Sequence, residues 1–271
     1  MTGADLLDWL SLLLRWFHVI AGIMWIGTTY LFNWMERALT PPGEGKPNIM
    51  GELWMVHGGG FYLVEKQRWP ELMPKTLHWF KWESMLTWLS GFLLLSVVYW
   101  AGAPLMSFES TWSRGGAIGL SLGSLVAGRV IYDLVWRSPL GASELLGAFV
   151  SWLLTLALAW GLGHVFSDRS VYLHVGAVFG TIMVTNVWMV ILPNQTKMLA
   201  ITKAGGTPDP ELSRRAARAS KHNTFLSVPL LLTMISNHYP AITFGTPNGL
   251  LVLAVLIPFG WLAAKVIRDH L

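Results

Sequence analysis

Three stretches of this chain, residues 84–108, 145–162 and 171–192, contain no Asp, Glu, Lys or Arg. Crossing about 30 Å of hydrocarbon takes about 20 apolar residues in a helix. Only helices and closed barrels satisfy their own backbone polar groups in that medium. Uncharged runs of this length therefore commit the chain to a bundle of membrane-spanning helices. Composition agrees, with 53% hydrophobic and 13% charged residues, where soluble domains carry about a quarter charged. Sixteen tryptophans suit the aromatic belts at the two membrane interfaces.

Hydropathy predicts seven spans: Trp9–Met35, Glu83–Ala103, Gly115–Val135, Leu145–His164, Val171–Leu192, Asn223–Tyr239 and Gly249–Ala264. The expected fold is all-α, one polytopic transmembrane domain over residues 1–271, with cytoplasmic loops at about 36–82 and 193–222 forming a cap. An N-terminus outside and a C-terminus inside leave only Arg15, Arg114 and Arg169 toward the outside, and the other sixteen of the 19 basic residues within. That positive-inside bias accounts for a pI near 9.4 with no nucleic-acid partner. No removable signal peptide is expected, since the N-terminus lacks a basic region and a cleavage site. The chain has no cysteine, hence no thiolate metal site and no covalent c-type haem motif.

Within the loops, "LWMVHGGGFYLVEK" (53–66) predicts a hairpin or tight turn around its glycines. "PDPELSRRAARASKHN" starts with Asp209 as an N-cap and Pro210 at the first helical position. The sixth helix is therefore expected to protrude into the cytoplasm. Gly205 and Gly206 are expected to end a matching extension of the fifth.

Ionisable groups inside spans are costly and are functional candidates by default. This topology puts His18, His164, His174 and His238 toward the outside, and His57, His78, His222 and His270 toward the cytoplasm. "WFHVIAGIMWIGTT" and "YLHVGAVFGTIMVT" read alike, so His18 and His174 are expected at similar depth. One reading is that they ligate a haem b iron. Gly22, Gly176 and Gly180 would then admit the macrocycle, and Arg15 or Arg169 would pair with its propionates. The other is that they bond neighbouring helices while the glycines permit close packing. His164 and His238 lie nearer the interface and are weaker ligand candidates. On the inner side, His57, His78 and His222 could serve a second haem, a polar substrate site or interfacial anchoring. Arg129 and Asp133 read as a structural i, i+4 ion pair.

The runs "RWFHVIAGIMWIGTTYLFNWME", "LWMVHGGGFYLVEK", "MPKTLHWFKWESMLTWLSGFLLL", "NVWMVILPNQTKM" and "SKHNTFLSVPLLLTMISNHYP" resemble, in order, the membrane domain of the bacterial cytochrome-c-linked urate hydroxylases. The resemblance implies an enzyme of the bacterial cytoplasmic membrane. It would oxidise urate to 5-hydroxyisourate with water supplying the oxygen, and pass electrons to cytochrome c. It also implies an eighth helix and a cytochrome c domain. This chain ends at "KVIRDHL" without a Cys-x-x-Cys-His, so the cytochrome is expected as a separate or missing acceptor.

By position, His57, His78, Lys81 and Glu83 are the expected catalytic groups, and Asn194, Gln195, Lys197 and His222 the urate-binding ones. A cytochrome-b-type electron-transfer subunit and a haem- or copper-handling membrane protein are the alternatives. The absence of Met or Cys ladders speaks against copper passage.

Overall fold

The computed structural model describes residues 3–67, 76–102 and 105–270. Arg68 and Lys75, both assigned above to the cytoplasmic face, and Ala103 at the end of the second predicted span lie outside these residues. The first helix, α1 (Gly3–Ala38), has 36 residues. The loop after it holds an antiparallel hairpin of β1 (Ile49–His57) and β2 (Gly60–Gln67), pairing Val56 with Phe61 and His57 with Gly60. Gly58 and Gly59 turn the corner at φ 58° and 80°, left-handed values that side chains resist and that two-residue hairpin turns require. Lys46 ties the hairpin together through Glu52 and, at 2.9 Å, Glu65.

Five more helical rods follow the first. They are α2 (Trp82–Leu95), extended by a π-helical turn through Gly102; α3 (Arg114–Arg137); α4 (Glu144–Gly163); α5 (Asp168–Thr185); and α8 (Gly249–His270). Ser113, Ser143 and Ser167 cap α3, α4 and α5, each accepting a backbone N–H of the first turn, as short hydroxyl side chains do at helix starts. The rod that α5 begins does not stop at Thr185. It passes through a π-helical segment, Asn186–Ile191, into α6 (Leu192–Lys203), and Gly205 at φ 78° ends the rod where expected.

α7 (Pro210–Ile235) starts on the predicted cap, with the Asp209 carboxylate accepting the Glu211 N–H. Six described helices are long and apolar enough to cross a membrane, one fewer than hydropathy suggested. The difference is α7. Its first half is charged, and its regular helix ends at Ile235 rather than reaching Tyr239. It packs between α5 and α8, where Gly260 lies against the Pro229 ring; a Cβ there would meet Pro229 at 3.1 Å. The molecule is an all-α, multi-pass membrane bundle. α5 is its central post, in contact with α2, α3, α4 and α7 and buried along most of its length.

Candidate functional site

At the inner end of α2, the sequence "HWFKWES" gathers four functional groups. The Lys81 ammonium lies 5.5 Å from the Trp82 ring and 5.7 Å from the ring of Trp188 in the π-helical segment. The two indoles meet edge to face at 5.6 Å. One turn in, Glu83 is largely covered while His78, its ion-pair partner at 3.8 Å, is exposed. Two atoms here break the usual accounting. Glu83 Oε2 and Trp188 Nε1 are buried and have no hydrogen-bond partner among the described residues. An unpaired buried polar group costs about 1–3 kcal/mol, so each implies a missing partner. A carboxylate acceptor, an indole donor, an ammonium and two aromatic faces suit a flat anion that both donates and accepts hydrogen bonds.

The predicted inner set does not converge as a whole. His78, Lys81 and Glu83 come together. His57 sits at the exposed end of β1 beside the hairpin turn. Asn194 donates to Val190 of its own rod, and Gln195 and Lys197 are exposed on α6. His222 belongs to a different constellation, most of which escaped the sequence reading.

That second constellation is a buried chain of hydrogen bonds across α3, the π-helical segment and α7. Arg129 donates to Asn186 Oδ1 at 2.7 Å, which fixes which way the amide faces. The Asn186 NH2 then donates to Tyr132 Oη at 3.1 Å and to Asn223 Oδ1 at 3.0 Å, and Asn223 donates to the Met183 carbonyl. With its oxygen accepting from Asn186, the Tyr132 hydroxyl gives its proton to His222 Nδ1 at 2.6 Å. His222 is therefore the Nε2–H tautomer, its orientation held by four residues and by the Trp136 ring at 4.1 Å. Arg129 does pair with Asp133 at 3.0 Å, but the ion pair also anchors this chain. Asn186 stands in an uncharged run where only its amide hinted at a role, and its placement at an α-to-π transition is a common mark of functional positions.

On the outer side, His174 is wholly buried. Its Nε2 meets Ser121 Oγ at 2.7 Å and its Nδ1 donates to the Ser170 carbonyl at 2.6 Å. His18 turns to α2, with Nδ1 at 2.9 Å from Ser90 Oγ and 3.0 Å from the Thr87 carbonyl. Its ring lies so close to Gly91 that a Cβ there would sit 3.0 Å from it. Gly176 and Gly180 are spaces that α7 uses. A Cβ on Gly176 would run into Thr233 and, at 2.8 Å, Met234, and one on Gly180 would touch Leu230 at 3.4 Å; Gly22 faces Thr87.

The donor set therefore does not fit a haem clasped between His18 and His174. Both His174 nitrogens are engaged, His18 Nδ1 is bonded to α2, and the space at Gly176 is filled by α7. Arg15 bonds Ser11 on its own helix, and Arg169 bonds Asn237 at 2.6 Å and lies over Tyr99. His238 is exposed in a turn. His164 caps α4 beside Trp160 and borders a cavity of about 340 Å³ with Asp168 and Tyr172. Among the described residues, no group of three or more His, Cys, Asp or Glu is placed to hold a metal ion.

No curated protein and no solved structure matches the chain. A family model described as urate oxidase N-terminal matches residues 4–270, which is nearly the whole chain and takes in both constellations. The chain belongs to the urate oxidase N-terminal family.

Proposed function

We propose that this protein is a membrane urate hydroxylase whose substrate binds at the inner end of α2. Urate is planar and anionic, and it carries several carbonyl oxygens and N–H groups. Converting it to 5-hydroxyisourate adds the oxygen of one water and removes two electrons and two protons. Lys81 holds the anion, and the exposed Trp82 ring covers one of its faces. The Trp188 N–H donates to a carbonyl oxygen. The Glu83 carboxylate takes a proton, and His78, exposed at 3.8 Å from it, passes that proton to water. A positioned base contributes about 10²–10⁴-fold to such a step.

The observation that carries this reading is that two of the three buried side-chain atoms without partners among the described residues, Glu83 Oε2 and Trp188 Nε1, lie at this end of α2 beside a cation and two indoles, in a chain of this family. The further expectations follow the sequence resemblance: the bacterial cytoplasmic membrane as location, access to urate from the cytoplasm, and cytochrome c as electron acceptor. No step is routed through haem. The test is urate consumption by the purified protein with ferricytochrome c or ferricyanide as acceptor. Turnover that survives intact in both Glu83→Gln and Lys81→Met would remove the site from α2.

A further inference from the structure

A cavity of about 240 Å³ opens between α3, α4, α5, α7 and α8. Its shape is what distinguishes it. The lining runs along α4 from Glu144 to Leu158, about 21 Å at 1.5 Å per residue, far longer than a purine. The two ends differ in chemistry. One end holds the oriented Tyr132–His222 pair and the Lys221–Glu144 ion pair at 2.6 Å. The shaft is aliphatic and aromatic. The hydroxyls of Ser151 and Thr155, which also line it, are spent on carbonyls of their own helix. The side wall includes Ile131 and Leu154, which are exposed on the outside of the bundle. The cavity therefore opens toward the hydrocarbon.

A polar end, a long apolar shaft and access from the lipid describe a ligand with a small hydrogen-bond-accepting head and an apolar tail. We propose that the cavity binds a membrane quinone, with the Nε2–H of His222 donating to one carbonyl of the head. The head is specified by the tautomer. The chain from Arg129 through Asn186 and Tyr132 leaves His222 a donor at Nε2, and that nitrogen makes no hydrogen bond among the described residues. An acyl chain with a phosphate head would call for a free cation in the lining, where Lys221 is the one lysine or arginine and is occupied by Glu144.

The redox role of this site rests on the reading of urate as substrate. Urate and water give up two electrons and two protons in forming 5-hydroxyisourate. The quinone takes up two electrons and two protons, its two carbonyl oxygens gaining O–H bonds to give the quinol. The exchange balances with the quinone in the place of cytochrome c as the acceptor of those two electrons.

The test separates the two readings. Decylubiquinone is titrated into the intact protein in phospholipid nanodiscs without urate, following the part of the tryptophan fluorescence that is lost in Trp136→Phe and Trp261→Phe, both in the cavity wall. Saturable quenching is expected, weakened at least tenfold by Ala148→Phe, which fills the shaft, and several-fold by Tyr132→Phe, which removes only the hydroxyl. Urate turnover with ferricyanide should be unchanged in Ala148→Phe. In the wild type, adding urate and decylubiquinone together should yield quinol. Quenching that does not saturate, or that is equal in Ala148→Phe and Tyr132→Phe, overturns the proposal while leaving the urate site standing. Displacement of the quinone by urate or by added phospholipid overturns it as well, giving the cavity to the substrate or to a lipid chain.

Discussion

At the scale of single residues, Glu83 and His174 present opposite solutions to the same cost. Both are polar groups in a low-dielectric interior, where an unmade hydrogen bond is expensive. His174 has partners on both ring nitrogens, whereas Glu83 leaves one carboxylate oxygen bare. The first arrangement stabilises a fold and the second awaits a ligand. Glu83→Gln should lower urate turnover by about 10²–10⁴-fold with little change in melting temperature. Lys81→Met should raise KM about tenfold, the loss of about 1.4 kcal/mol of binding, and steady-state kinetics separate the two effects. His174→Ala should instead destabilise the protein by about 1–3 kcal/mol by taking away the buried acceptor of the Ser121 hydroxyl, without altering any haem content. Haem lost from both His174→Ala and His18→Ala would restore the axial pair.

At this scale the sequence was legible in part. Depth along a helix follows from counting residues, so His18 and His174 could be matched in depth. The direction a side chain faces depends on which helix lies beside it, and no local pattern records that. The same limit hid Tyr132, Asn186 and Asn223, whose roles exist only where α3, α7 and the π-helical segment meet.

At the scale of elements, packing of the central post is set by glycines placed opposite bulky residues. Gly128 on α3 leaves room for Val178 of α5, and Gly176 on α5 leaves room for Thr233 of α7. Thr233 cannot retreat easily, because its hydroxyl is bonded to the Leu230 carbonyl. Gly176→Ala should therefore cost about 1–3 kcal/mol through overpacking, seen as a lower melting temperature in detergent. Gly119→Ala, with open space around it, is the control.

The start of α7 carries a pH dependence. Arg214 and Arg215 hold the Glu211 carboxyl below its ordinary value of 4.5. A lowered folded value stabilises the helix start above that ordinary value, and the contribution is lost as pH falls through the folded one. First-turn amides of α7 should lose hydrogen-exchange protection, relative to intrinsic rates, as pH falls below 4.5; in Glu211→Gln that loss should already be present at pH 7. The caps at Asp209 and Gly205 were readable because helix termini depend on a few adjacent residues. The π-helical segment was not, because its extra residue per turn leaves no compositional trace.

At the scale of the whole molecule, the natural absence of cysteine makes orientation directly measurable. Single cysteines at Phe108 and Ser213, both exposed, lie in the α2–α3 loop and on the charged half of α7. A membrane-impermeant maleimide applied to whole cells should label Phe108→Cys and spare Ser213→Cys until the membrane is opened. The reverse pattern would invert the topology and place the α2 site outside. Bundle class and span order were legible because hydropathy is a property of whole segments. α7 is the one predicted span that does not reach membrane-crossing hydropathy, because its first half is charged.

The rod from Asp168 to Lys203 has 36 residues and so is about 54 Å long, against about 30 Å of hydrocarbon. It is therefore longer than the hydrocarbon is thick. Its far end is not free: α6 packs along α7, so a tilt of the rod carries α7 with it. Its one irregular stretch carries both Asn186 and Trp188, so the hydrogen-bonded chain and the indole beside Lys81 ride on the same joint. A shift of α6 would be felt at both places at once.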